Sequence, residues 1–183
     1  MDQIILTIIH LFETRGQEAY GSESVNQLEH ALQCGTMAVE AQADPSLIAA
    51  ALLHDIGHIL SEDKLPEDDL TDLDDRHEKR AHPWLLEHFG DAVADPVRLH
   101  VAAKRYLCTI EPEYAASLSP ASLKSFHDQG GSMSEEERVK FESETYFRDA
   151  LTLRRWDDLA KIQGLETPSI HYFATYLTQS LRA

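Results

Sequence analysis

Residues 52 to 58 read Leu-Leu-His-Asp-Ile-Gly-His, and within them His54 and Asp55 stand side by side at the end of an apolar run. An imidazole and a carboxylate from adjacent backbone positions can bind one metal ion, and the carboxylate has a second oxygen with which to bridge to another. A His-Asp dipeptide alone carries little weight, because most such pairs are surface residues or helix caps. The setting of this one is different. Leu47, Ile48, Ala50, Ala51, Leu52 and Leu53 precede it with helical spacing, so the pair arrives where a buried helix ends and an unpartnered carboxylate would be costly.

His30, His77 and His100 belong to the same chemistry, since each lies on or at the start of a helical stretch whose apolar residues must turn inward. Helical bundles build metal centres in this way, from inward-facing histidines and carboxylates of several helices. His82 competes with His77. His77 is preferred because it leads its helix and is followed by Glu78, whereas His82 precedes Pro83. For a further carboxylate, Asp157 and Asp158 both follow Trp156, and one of the two is expected to turn inward. His10, His88, His127 and His171 sit at mixed or polar positions and read as solvent-facing rings. Lys104, one turn after His100 on the same face, and Arg154, three residues before Asp157, offer positive charge to an anionic ligand.

Placing these side chains requires helices, and the pattern supplies them. Ile4, Ile5, Ile8, Leu11 and Phe12 form one stripe over residues 3 to 14, ending near Gly16. A polar loop, Tyr20-Gly21-Ser22-Glu23, leads to a second helix that buries Val25, Leu28, Leu32 and Val39 and carries His30. Asp44 and Pro45 are N-cap and first position of the helix that delivers His54 and Asp55, and Gly57 offers its stop. Glu62 to Asp75 is too acidic for a core and reads as a solvated loop. A helix over His77 to Phe89 is stopped by Gly90, and Pro96 is expected to begin the helix holding His100 and Lys104. Ser119-Pro120 starts a short helix reaching about His127, Gln129-Gly130-Gly131-Ser132 is a turn, and Ser134 with Glu137 makes a capping box. Residues 146 to 161 are helical, and a last helix follows Pro168. No strand-like alternation appears, so the expected fold is an all-α bundle with residues 1–183 as one domain.

The formal charge of −16, from 16 Lys plus Arg against 32 Asp plus Glu, argues against nucleic acid as a partner. The apolar run from Ile4 to Ile9 is short and lacks a basic flank, which fits neither a signal peptide nor a membrane span. Cys34 and Cys108 show no metal or disulfide spacing and read as reduced thiols of a cytoplasmic protein.

Laid out together, His30, His54-Asp55, His77, His100 and Asp157 resemble the ligand pattern of HD-domain metalloproteins, and within these the subset holding two metals. The stretches Tyr20-Gly-Ser-Glu23, Gln27-Leu-Glu-His30-Ala-Leu-Gln, Leu53-His-Asp-Ile-Gly-His58, Leu99-His100-Val-Ala-Ala-Lys104-Arg-Tyr-Leu-Cys, Gln129-Gly-Gly and Leu153-Arg-Arg-Trp-Asp157 resemble the PhnZ-type organophosphonate oxygenases, relatives of myo-inositol oxygenase. The resemblance spans nearly the whole chain. It implies a helical HD fold with a mixed-valence Fe(II)/Fe(III) centre ligated by those six residues, Asp55 bridging, and O2 as co-substrate. It further implies oxidative cleavage of a 1-hydroxy-2-(amino or trimethylammonio)ethylphosphonate to phosphate and glycine or glycine betaine. A separate 2-oxoglutarate/Fe(II) hydroxylase would install the hydroxyl.

By the same resemblance, Lys104, His58, Ser122, Gln129 and Arg154 face the phosphonate, while Tyr20 and Glu23 close over the iron and meet the amino end. A cage of Tyr20, Tyr106 and Tyr172 would favour the trimethylammonium substrate. The rival readings are an HD-type phosphohydrolase of nucleotides or phosphate esters, in which metals only activate water, and a metal-stabilised binding module without turnover.

Overall fold

A computed structural model describes residues 2–60 and 77–182. The acidic stretch from Glu62 to Asp75 lies outside the described residues. The described residues form helices joined by turns and loops, without strands; their one β feature is an isolated bridge between Ala19 and Asn26 that closes the loop holding Tyr20 and Glu23. Among the described residues no helix is long and apolar enough to cross a membrane.

α1 (Gln3–Arg15) is capped by the Asp2 carboxylate and buries Ile5, Ile8, Leu11 and Phe12. α2 (Gln27–Glu40) opens on a reciprocal capping box between Asn26 and Glu29, which fixes the start of the helix three residues before His30. Val25 lies ahead of this helix rather than in it, and is buried there. α3 (Pro45–Leu53) has Pro45 in its first turn, and Asp44 occupies the N-cap position without a side-chain hydrogen bond. Ala49, Ala50 and Ala51 are wholly buried, and their small side chains let α2, α5 and α9 pack against α3.

After α3 the chain passes through His54 and Asp55 into a 3-10 turn, Ile56–His58. Gly57 lies inside that turn and not in a left-handed helix stop. Its missing side chain has another use: a Cβ there would sit 2.2 Å from the His77 carbonyl oxygen, where the next helix begins. Gly57→Ala should therefore push the start of that helix away, lowering stability by about 1–3 kcal/mol as overpacking does. Thermal unfolding of the metal-free protein checks this; an unchanged melting temperature would show that the two segments do not press on one another.

α4 (His77–Phe89) and α5 (Asp91–Ile110) are joined by Gly90, whose φ of +78° makes the sharp turn. α5 starts five residues before Pro96 and runs through it. Asp91 sits favourably in the first turn, and the proline, with no N–H to give Ala92, costs one ladder bond that burial of Val93, Ala94 and Val97 offsets. α5 is the central helix, packed on α4 along one side and on α9 (Phe147–Leu159) along the other.

α6 (Pro112–Ser117), unsignalled by the sequence pattern, brings Tyr114 to α9. α7 (Pro120–Asp128) is capped by Ser119, and α8 (Glu135–Glu142) carries the capping box of Ser134 and Glu137. Gly130 and Gly131, both at positive φ, form the turn between them. After Pro168 a 3-10 turn, Ile170–Phe173, precedes α10 (Ala174–Gln179), which covers the outer side of α3.

Candidate metal centre and cavity

His30 projects from the second turn of α2, His54 and Asp55 from the end of α3, His77 from the start of α4, His100 from the middle of α5 and Asp157 from α9. All six converge. The Nε2 atoms of His30 and His54 lie 3.1 Å apart. Around them stand Asp55 Oδ2, 3.2 Å from His54 and 3.6 Å from His30, and Asp157 Oδ1, 3.4 Å from His30. The other oxygen of Asp55 faces a second nest: Oδ1 is 2.9 Å from His77 Nε2 and 3.7 Å from His100 Nε2, and these two nitrogens are 3.3 Å apart. Asp55 thus gives one oxygen to each nest.

The hydrogen-bond pattern shows what these nests are suited to hold. His30, His54 and His100 each direct Nδ1 at a backbone carbonyl, of Ala160 at 2.8 Å, Ala51 at 2.9 Å and Val97 at 2.7 Å. That fixes Nδ1 as the protonated nitrogen and turns the Nε2 lone pairs inward, toward each other. Two such buried nitrogens about 3 Å apart must share either a proton or a metal cation. Ligands about 2.1 Å from one ion, at angles from 90° to 109°, stand about 3.0–3.4 Å apart, which matches the 3.1 and 3.3 Å between the paired histidine nitrogens. Asp55 Oδ2 is buried and without a hydrogen-bond partner among the described residues.

The electrostatics agree. Burial opposes charge on His54, but Asp55 outweighs it and raises the imidazole to about 9; His77 is raised in the same way. Burial works against the Asp55 and Asp157 carboxylates too, yet His54 holds the first and Arg154 the second well below the usual carboxylate range. His100, by burial and by its neighbour His77, is pushed well below the usual imidazole range and stays a neutral donor. Without metal, protons supply positive charge that metal ions would replace. Cys34, one turn after His30, comes within 4.8 Å of the His30 and His54 donors. Burial pushes its thiol well above the ordinary range, so it contributes a neutral wall. His82 is outside this cluster, its Nε2 3.0 Å from Asp95.

The nests open onto a cavity of about 500 Å³, and Tyr20, Glu23, His58, Lys104, Ser122, Gln129 and Arg154 all line it. The Tyr20 ring stacks on His30 at 4.0 Å with its hydroxyl 3.5 Å from Asp157 Oδ1. His58 stacks on His77 at 4.1 Å. Lys104, only 3 % exposed, donates to Ser125 Oγ at 2.6 Å. Arg154 reaches the cavity wall, but its guanidinium is engaged by Asp157, Asp158 and Tyr114.

Lys161 is the cation that the sequence pattern did not bring forward. Its Nζ donates to Ser122 Oγ at 2.8 Å and to Glu23 Oε1 at 3.1 Å, and Glu23 also accepts from Ser119 Oγ at 2.6 Å. Lys161 follows Asp157 by four residues, the same spacing that marks Lys104 after His100, and that spacing was the available signal. Tyr106 and Tyr172 do not join Tyr20: Tyr106 donates to Glu142, and the half-exposed Tyr172 lies against Tyr176.

Residues 28–106 match the HD domain family model. The chain is 41 % identical over 177 residues, 97 % of its length and 88 % of the relative's, to a hydroxymethylphosphonate dioxygenase of Gimesia maris. It is 42 % identical over 165 residues, 90 % of its length and 83 % of the relative's, to the [1-hydroxy-2-(trimethylamino)ethyl]phosphonate dioxygenase (glycine-betaine-forming) of Leisingera caerulea.

Proposed function

The chain belongs to the PhnZ-type organophosphonate oxygenases of the HD-domain family, and from that premise we propose that it uses O2 to cleave the carbon–phosphorus bond of a 1-hydroxyphosphonate. The carbon bearing hydroxyl and phosphonate leaves as a carboxylate, phosphorus leaves as inorganic phosphate, and the two atoms of O2 are accounted for in those products. A carbanion is too poor a leaving group for simple hydrolysis, so the carbon must be oxidised first.

One observation carries this reading: Asp55 serves two histidine nests that open onto a cavity walled by Lys104, Ser122 and Gln129. His30, His54, Asp55 and Asp157 would hold one ion, and Asp55, His77 and His100 the other. When bound, a ferrous and a ferric ion would supply Lewis acidity and the electrons that make O2 reactive.

The protein's own groups supply the rest. Lys104 brings an ammonium to the phosphonate, with His58, Ser122 and Gln129 on the remaining oxygens. The Tyr20 hydroxyl stands at the mouth of the first nest, where an incoming substrate meets it first. Glu23, held ionised by Ser119 and Lys161 although burial opposes its charge, faces the other end of the substrate. A free ammonium, with N–H groups to donate to Glu23, suits that end better than a trimethylammonium, which has none. Of Tyr20, Tyr106 and Tyr172 only the first lines the cavity, and residues 61–76 contain no aromatic side chain.

We place the protein in the cytoplasm, in keeping with two buried, unpaired cysteines. We place it downstream of a 2-oxoglutarate/Fe(II) hydroxylase that makes the 1-hydroxyphosphonate. The test is purified protein with ferrous iron and three substrates: hydroxymethylphosphonate and the 1-hydroxy-2-amino and 1-hydroxy-2-trimethylammonio ethylphosphonates. Coupled O2 uptake and phosphate release from at least one is expected. Hydrolysis of nucleotides with no O2 uptake on any phosphonate would replace this reading with that of a phosphohydrolase.

A further inference from the structure

Arg154, Asp157 and Asp158 occupy positions i, i+3 and i+4 of α9 and therefore share one helix face. Arg154 Nη1 holds Asp157 Oδ2 at 2.6 Å, which leaves Oδ1 of that carboxylate turned to His30. The rest of the guanidinium is taken from behind. Nη2 and Nε both donate to Asp158, the latter at 3.2 Å, and Nε also reaches the Tyr114 hydroxyl at 3.3 Å. Tyr114 in turn donates to Asp158 Oδ2. Arg154 is 4 % exposed and Asp157 1 %, so this chain of four side chains runs from a partly exposed Asp158 to a buried candidate ligand.

We infer that Asp158 and Tyr114 are positioning residues of the first metal nest, acting through Arg154 to set the rotamer of Asp157. The inference rests on reading the nest as a metal site. A guanidinium beside a bound cation is repelled by it, and the single negative charge of Asp157 would be divided between the metal and the arginine. Asp158 supplies the second negative charge, and the Tyr114 hydroxyl fixes Asp158. Arg154 therefore stays in place and pulls on Oδ2 only. With Asp158 neutral, Arg154 has only Asp157 left as a charged partner and draws that carboxylate off the metal. Removing a partner of this kind costs about 10–100-fold in metal affinity. His77 and His100 are not touched by the chain, so the second nest should keep its affinity.

The test uses the full chain, stripped of metal and titrated with Mn2+ by calorimetry, for wild type, Asp158→Asn, Tyr114→Phe and, as a control, Arg155→Ala, whose side chain pairs with Glu111 on the surface. Two classes of site are expected for wild type and for the control. In Asp158→Asn and, less strongly, Tyr114→Phe one class should weaken by about 10–100-fold while the other stays. Thermal melts separate positioning from packing: the metal-induced rise in Tm should shrink in both variants, because it follows affinity. A fall in Tm that is equal with and without metal, at unchanged affinities, overturns the inference. A wild-type chain that takes up no metal removes its premise and the inference with it.

Discussion

Asp55→Ala is expected to deprive both nests of metal at once and to abolish phosphate release. Oδ2 lies 3.2 Å from His54 Nε2 and Oδ1 lies 2.9 Å from His77 Nε2, so Asp55 serves both clusters. Single replacements elsewhere should be asymmetric: His54→Ala weakens the nest with His30 and Asp157, and His77→Ala the nest with His100. The metal-free variant should also lose stability, because Asp55 is the carboxylate that balances the buried charge of His54 and His77. Metal content per chain after dialysis is the measurement, with circular dichroism as the check on folding. Retention of two ions by Asp55→Ala would show that the carboxylate is not shared. Loss of one alone would assign it to a single nest.

The legibility of this centre in the sequence follows from burial. His54 and Asp55 stand out because a helix of alanines and leucines delivers them to the interior, where a polar pair must have partners. His30 and His100 stand out for the same reason, each lying among apolar residues at helical spacing. His77 was readable as the first residue of a helix, but what pins it beside Asp55 is the absence of a side chain at Gly57, a contact between segments twenty residues apart. Sequence pattern marks Gly57 only as a possible stop.

Where the pattern was insufficient, the deciding contacts are remote in the chain. Asp157 and Asp158 are adjacent and chemically identical, so nothing local says which faces the histidine nests. Tyr114, on a six-residue helix without its own periodic signal, engages Asp158 on the other side, a contact no local pattern announces. Arg154 likewise has the composition of an anion-binding residue, yet two carboxylates and a phenol occupy it. Lys161 lies just past the end of α9, and its value comes from Glu23, 138 residues earlier. Pro96 misled for a different reason: a proline favours a helix start locally, but Gly90 had already made the turn, and α5 buries enough apolar surface to carry the missing bond.

Lys104→Met is expected to lower kcat/KM for the phosphonate by about 10–100-fold, the loss of one buried charge-assisted hydrogen bond, with metal content unchanged. Methionine keeps the length of the stem and removes only the charge and its donors. The pH profile gives a second, independent reading. Burial first and the Arg154 charge second pull the Lys104 ammonium down to about 8. Below that pH the group is charged and can receive an anion; as pH rises through it the ammonium is lost. Wild-type kcat/KM should therefore fall on the alkaline side with an apparent pKa near 8, since that ratio reports the free enzyme. In the complex the bound anion favours the charged form, so the fall in kcat should lie at higher pH. Lys104→Met should lack this alkaline limb. A variant with wild-type kcat/KM, or one that keeps the same limb at reduced activity, would show that another group receives the phosphonate, with Lys161 the first to examine.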